Sequence, residues 1–258
     1  MGARRPERRH EGEGLSEAAS SRGRGGKRHP RPFYARSTLD VARDLLGSTL
    51  VRVLDGRRIS GRIVEVEAYV GPEDTACHAS RGRTARNDVM FGEPGHAYVY
   101  FTYGMHWMLN VVTEREGYPA AVLIRALEPL EGIDAMRRLR GSVADRDLAR
   151  GPARLCQALA IDRAWNGTDL VRGDGLFIEQ GIRSTGVDIE ASPRIGIDYS
   201  APCDRDAPWR FVLKGTLHAS RPPARARQKE RRPSSMRRRT RDRSMPSGSK
   251  PMGPRPPL

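Results

Sequence analysis

Residues 63–69 read Ile-Val-Glu-Val-Glu-Ala-Tyr, which sets two carboxylates, Glu65 and Glu67, two positions apart. In an extended strand that spacing puts both on one face. Paired carboxylates on one face suit general acid–base work. Surface charge, or a salt bridge to Arg62 or Arg125, is the plainer reading of the same pattern. Arg125 stands apart from most of the chain's cations because it lies inside the apolar run from Ala121 to Leu127. A guanidinium there needs an acidic partner or a ligand. A buried Arg–Glu pair satisfies it, and such a pair also holds a carboxylate ionised and aimed at a water. The histidines His78, His96 and His106 have no metal-ligand spacing, and Cys77, Cys156 and Cys203 form no Cys-x-x-Cys motif. No metal site and no disulfide framework is expected.

The second concentration of chemistry is residues 96–110, His-Ala-Tyr-Val-Tyr-Phe-Thr-Tyr-Gly-Met-His-Trp-Met-Leu-Asn. Three tyrosines, a phenylalanine and a tryptophan crowd into a chain that is 6% aromatic overall. Tyr98 and Tyr100 fit either the core or a half-exposed face. Tyr103 sits at a tight Tyr-Gly turn and cannot easily reach its own core. An exposed aromatic there suits stacking on nucleobases, worth about 1–3 kcal/mol per base. The basic stretch 81–87, Arg-Gly-Arg-Thr-Ala-Arg-Asn, suits phosphate contacts or a solvated loop equally.

These residues need a scaffold. Ser37 followed by Asp40 gives a capping-box pattern; Leu39, Ala42, Leu45 and Leu46 make one apolar stripe, and Gly47 stops the helix. Residues 48–70 then predict a β-hairpin turning at Asp55-Gly56, with Val64, Val66 and Ala68 on one face and Ile63, Glu65 and Glu67 on the other. Residues 70–95 are a long polar loop, a length that in compact domains usually serves function. Strands follow at 97–101, 106–112 and 120–129, with the Tyr103 turn between the first two. Two helices follow, within 130–141 and 151–161, the second with Pro152 in its first turn. Residues 175–180, 194–198 and 209–215 close the domain as strands. The sum is a mixed α/β (α+β) fold, a single compact domain over 33–220 on a curved, mainly antiparallel sheet with flanking helices.

The charge is uneven. The formal net charge is +15, yet residues 1–32 hold nine basic against four acidic residues and 221–258 hold thirteen against two, so the segment between them is close to neutral. Both ends are rich in Arg, Pro, Gly and Ser, and are expected to be disordered basic tails. They serve as electrostatic arms for a polyanion or merely as solvated ends. No apolar run approaches a membrane span and no signal-peptide core is present. A cytoplasmic protein without a membrane role is expected.

Residues 61–112, together with Val-Leu-Ile-Arg-Ala-Leu-Glu-Pro-Leu-Glu-Gly at 122–132 and Gly-Pro-Ala-Arg-Leu-Cys-Gln-Ala-Leu-Ala-Ile at 151–161, resemble the 3-methyladenine (alkyladenine) DNA glycosylases of the human-type fold, which has bacterial members. The resemblance runs from about Ser37 to about Leu217 and covers neither tail. It implies excision of alkylated or deaminated purines from duplex DNA after the base is extruded from the stack. By motif, Glu67 resembles the base that activates water, and Arg125 the arginine that helps hold that water. A backbone carbonyl at Ile195 or Ile197 resembles the remaining water contact. Tyr69, His78, Tyr100, Asn110 and Leu123 resemble the base pocket, with Asn110 crowding the 2-amino group of guanine. Tyr103 resembles the wedge that fills the vacated stack, with Met105 beside it. His106 stands where the family commonly has an aromatic residue, and Ala79 separates His78 from Ser80.

The resemblance also implies a monofunctional enzyme with no cofactor and no metal, acting on duplex DNA as a monomer with no obligate protein partner, cytoplasmic and associated with the nucleoid through DNA. The body's own residues agree on one point: a lyase-type enzyme needs an amine nucleophile, and Lys214 is the body's only lysine. The alternative is a non-catalytic module of the same fold that binds damaged DNA.

Overall fold

The computed structural model describes residues 26–181 and 188–220. Both expected disordered tails therefore fall largely outside the described residues. The exception is 26–32, which composition groups with the N-terminal tail but which is folded. His29 is buried, stacks on Phe33 at 3.7 Å and hydrogen-bonds Ser48 at 2.9 Å. The Arg28 guanidinium lies 3.9 Å from the centre of the Phe177 ring.

Among the described residues eight strands form one sheet: β1 (Thr49–Leu54), β2 (Arg57–Tyr69), β3 (Ala97–Thr102), β4 (His106–Thr113), β5 (Ala120–Glu131), β6 (Leu176–Glu179), β7 (Ile189–Ser192) and β8 (Arg210–Leu213). The main path runs β3-β4-β5-β2-β1-β6, β8 joins β2 to β7, and every strand pair is antiparallel. The fold is thus α+β, as expected. Asp55 and Gly56 both have positive φ, 50° and 71°, as the type I′ hairpin turn between β1 and β2 requires.

β2 organises the sheet. β1 lines its first half, up to Arg62, and β8 takes over the same edge from Glu65 to Glu67. Between them the register against β5 shifts at Ile63/Glu65 and again at Glu65/Val66. This bulge overturns the simple alternation expected for the strand: Ile63 joins Val66 and Ala68 in the main core, while Glu65 and Glu67 turn to the opposite face. A bulge adds an unpaired residue and re-aims the side chains beyond it.

Among the described residues five α-helices accompany the sheet: α1 (Arg31–Tyr34), α2 (Thr38–Leu45), α3 (Ile133–Arg140), α4 (Pro152–Ala158) and α5 (Pro202–Arg205). Residues of α2, α3 and α4 pack with Leu50, Val66, Val99, Leu109, Val111, Val122 and Ile124 into the main core. The capping box at α2 does not form. Ser37 makes no side-chain cap, and Glu114 from beyond β4 accepts from the Thr38 N–H (2.6 Å) and hydroxyl (2.9 Å) instead. The expected strand at 194–198 is also absent. β7 precedes it, and 194–198 is an irregular segment with Gly196 at φ +81°. Among the described residues no helix is long and apolar enough to cross a membrane.

Candidate active site

The face of the sheet opposite the helices gathers most of the candidate site residues. β-ladder register places Glu67 (β2) beside Leu123 (β5), Leu123 beside Asn110 (β4), and Asn110 beside Tyr98 (β3). Three of the residues singled out from sequence thus stand in one row across four strands. Tyr69 lies two residues along β2, in the next row with Ala121 and Val112. Loop 70–95 folds over this face, and its Cys77, Ala79 and Met90 form a second small core with Tyr98, Val112 and Ala121, against which Tyr69 and Tyr100 pack. His78 comes with it: its Nδ1 is 2.9 Å from the Tyr98 hydroxyl, and its ring is 4.5 Å from that of Tyr100.

The two glutamates share Arg125 but differ in what surrounds them. Arg125 donates through Nε to Glu65 (3.0 Å) and through Nη1 to Glu67 (2.9 Å), whereas Arg62 turns away to Glu128. Glu65 also accepts from Arg210 Nε (2.7 Å), the Ser220 hydroxyl (2.6 Å) and the Ser220 N–H. Three of these four donors crowd onto Glu65 Oε1, and the Ser220 N–H alone meets Oε2. Glu67 has three donors: Arg125, the Tyr69 hydroxyl (3.1 Å) and the Ile195 N–H (2.7 Å), the last alone on Oε1. One acceptor direction on Oε1 is left.

Burial penalises the Glu65 charge, but Arg125, Arg210 and Ser220 outweigh it and hold the carboxyl below its usual range. Burial also works against the Arg125 charge; Glu67 and Glu65 overcome it and push its pKa up. Burial and the Glu67 charge raise Tyr69 well above an ordinary phenol, so its hydroxyl stays a donor. Burial, with Arg86 nearby, pulls His78 down to about 4 although its outer edge is open to solvent. The imidazole is therefore neutral at neutral pH.

Asn110 is buried, and its amide donates to the Tyr98 carbonyl at 3.1 Å, which fixes its orientation. Tyr103 and Met105 do not join this cluster. They sit at the tip of the β3–β4 hairpin, 76% and 67% exposed, with Tyr103 at φ 52°. Ile195 meets the site through its N–H, while the Ile197 carbonyl accepts from Ser200. Among the described residues no group of three or more His, Cys, Asp or Glu is placed to hold a metal ion.

Sequence reasoning missed several supports. Tyr98 had the parity of Tyr100 but reads equally as core. Arg194 and Asp74 form a fully buried bidentate pair; Arg194 also donates to the Ala68 carbonyl and packs its guanidinium 4.7 Å from the Tyr69 ring centre. Arg210 and Ser220 reach Glu65 from 145 and 155 residues away, a separation that no local pattern reports.

Residues 32–217 match the sequence profile of the methylpurine-DNA glycosylases. The chain belongs to that family. Among similar proteins, one of Methanocella arvoryzae, provisionally named a 3-methyladenine DNA glycosylase, is 55% identical over 188 residues, covering 72% of this chain and 92% of that protein. One of Carboxydothermus hydrogenoformans with the same name is 53% identical, covering 74% and 98%. A third, of Burkholderia lata, is 49% identical, covering 75% and 91%. Membership makes this methylpurine-DNA glycosylase family chain a DNA glycosylase. The match includes both glutamates of the buried network, Arg125, the aromatic face and the hairpin tip, and stops before Ser220.

Proposed function

We propose that the protein is a monofunctional glycosylase of duplex DNA. It extrudes an alkylated or deaminated purine and hydrolyses its N-glycosidic bond, leaving an abasic site for base excision repair. The observation that carries this is where the two carboxylates stand: Glu67 accepts from the Tyr69 hydroxyl at the aromatic face, whereas Glu65 accepts from Arg210 and Ser220. Glu65 ties the network together; Glu67 keeps a lone-pair direction on Oε1, which takes the attacking water. Glu67 acts as the general base for that water, and its charge stabilises the cationic sugar that develops as the bond breaks. Arg125, Tyr69 and the Ile195 N–H together fix the plane of the Glu67 carboxylate.

The extruded purine lies against Tyr69, Tyr100 and His78, over Leu123. A π-rich slot favours 3- and 7-methylpurines, which carry positive charge. Asn110 crowds the guanine 2-amino group. Tyr103, with Met105 beside it, enters the stack that the base has left. An amine nucleophile is disfavoured, because Lys214 is exposed at the end of β8 and paired with Asp188 at 3.1 Å.

The test is release of free base from duplexes bearing methylated purines or hypoxanthine, for wild type beside Glu67→Gln, with no metal added and strand cleavage scored separately. Wild type should excise and leave the abasic strand intact. Glu67→Gln should bind the duplex but excise at least roughly a hundredfold more slowly. Tight binding without excision by wild type would instead indicate a damage-binding module.

A further inference from the structure

A cleft of about 540 Å³ lies beyond Arg125, lined by Arg140, Asp147, Arg150, Arg154 and Ser220 as well as Arg125 itself. Its charge is unbalanced. Arg125 is already neutralised within its network with Glu65 and Glu67. Asp147 is the only carboxylate in the lining and pairs with Arg150 at 3.3 Å. Arg140 donates to the Leu148 carbonyl and the Gln157 amide oxygen, and Arg154 to the Arg150 carbonyl. Neither has a carboxylate partner among the described residues. Arg140 is partly buried, and its charge is disfavoured by that burial and by Arg154, with Asp147 acting the other way. Three guanidinium groups, those of Arg140, Arg150 and Arg154, thus share one carboxylate in a concave, partly desolvated place, and such an excess of positive charge makes an anion site.

Its position says which anion. Arg150 bridges to Ala126, and Leu127 donates to the Ala149 carbonyl, so residues 149–150 take the edge of β5 just past the stretch paired with β4. Because β4 runs antiparallel to β5, this is the side toward which the hairpin extends to Tyr103. The cleft is therefore one guanidinium away from Glu67 on the side of the hairpin tip. We propose that it binds a phosphate group, supplied by the backbone of the DNA strand whose nucleotide is presented to Glu67. Arg140, Arg150 and Arg154 provide the donors, and a planar fork suits phosphate oxygens. The assignment to DNA rests on the function proposed above; the preference for phosphate does not.

The experiment uses the full chain and a duplex carrying a tetrahydrofuran abasic-site analogue, which has no base to release. Neutral methylphosphonate linkages are placed one at a time on both sides of the analogue. Arg154→Gln, an exposed position, should raise Kd about tenfold and flatten the log Kd against log salt slope by about one. One methylphosphonate should weaken wild type by a similar factor and add nothing in Arg154→Gln, with Arg140→Gln behaving alike and Arg140→Lys retaining most binding. Binding of inorganic phosphate alone, followed by phosphorus NMR, separates the sources. Phosphate binding lost in both Gln variants, with every linkage additive, would keep the cleft as a phosphate site but assign it to free phosphate. Additivity at every linkage together with no phosphate binding by wild type would overturn the proposal. Failure of base release with the linkage signature intact would overturn only the enzymatic reading.

Discussion

Glu65 and Glu67 are the same side chain two residues apart, and their partners divide the work between them. Glu65 ties Arg125 to Arg210 and Ser220; Glu67 ties Arg125 to the Tyr69 hydroxyl and the Ile195 N–H, at the aromatic face. His78 contributes a neutral ring that can stack and exchange a hydrogen bond, and this has a measurable pH signature. Its folded pKa, about 4, lies below the unfolded value of 6.5. Between those values the unfolded chain binds a proton that the folded chain does not, so the contribution is complete above pH 6.5 and lost as pH falls through about 4. NMR titration should find the His78 midpoint clearly below 6.5, and His78→Gln should flatten the rise of stability with pH across this window. A midpoint near 6.5 would show a solvated ring.

Two elements decide whether these side chains meet. The bulge in β2 turns Glu65 and Glu67 away from the core that Ile63 enters, and it does so where β8 replaces β1 as neighbour. Loop 70–95 is secured by Asp74, which accepts from the N–H groups of Val70 and Ala76 and pairs with Arg194, next to the residue whose N–H holds Glu67. Asp74→Asn leaves a buried guanidinium without its anion, a change that costs about 3–5 kcal/mol in comparable pairs. Denaturant unfolding should show destabilisation of that order, and hydrogen exchange should quicken in 70–80 ahead of the helical core; a change under about 1 kcal/mol would mean the pair is not structural. The β3–β4 hairpin lifts Tyr103 into solvent on positive-φ residues. Tyr103→Ser should lower excision from duplex roughly tenfold or more while sparing single-stranded substrate, because only a duplex has a stack to refill.

Over the molecule as a whole, charge is distributed unevenly along the sequence. The body is close to neutral, while residues 221–258 carry thirteen basic and two acidic residues. Removing that segment should reduce the salt dependence of DNA binding, by about 0.9 in slope for each phosphate the chain no longer neutralises. An unchanged slope would make it a bystander.

Much of this was legible in the chain. Alternation and turn chemistry indicated the antiparallel sheet, Asp55-Gly56 the hairpin, and Pro152 the helix it opens, because these are local preferences that neighbours in sequence impose. Arg125 in an apolar run called for an acidic partner or a ligand, since a guanidinium cannot be left unpaired there; the fold supplies the acidic partners. What the chain alone left undecided was which partners each glutamate would meet. That depends on a bulge that breaks alternation, on Arg210 and Ser220 arriving from the far end of the domain, and on an irregular segment at 194–198 that resembled a strand. Capping of α2 by Glu114 rather than Ser37 has the same cause. A hydrogen bond goes to whichever donor or acceptor the assembled fold brings nearest, and distance along the chain carries no record of that.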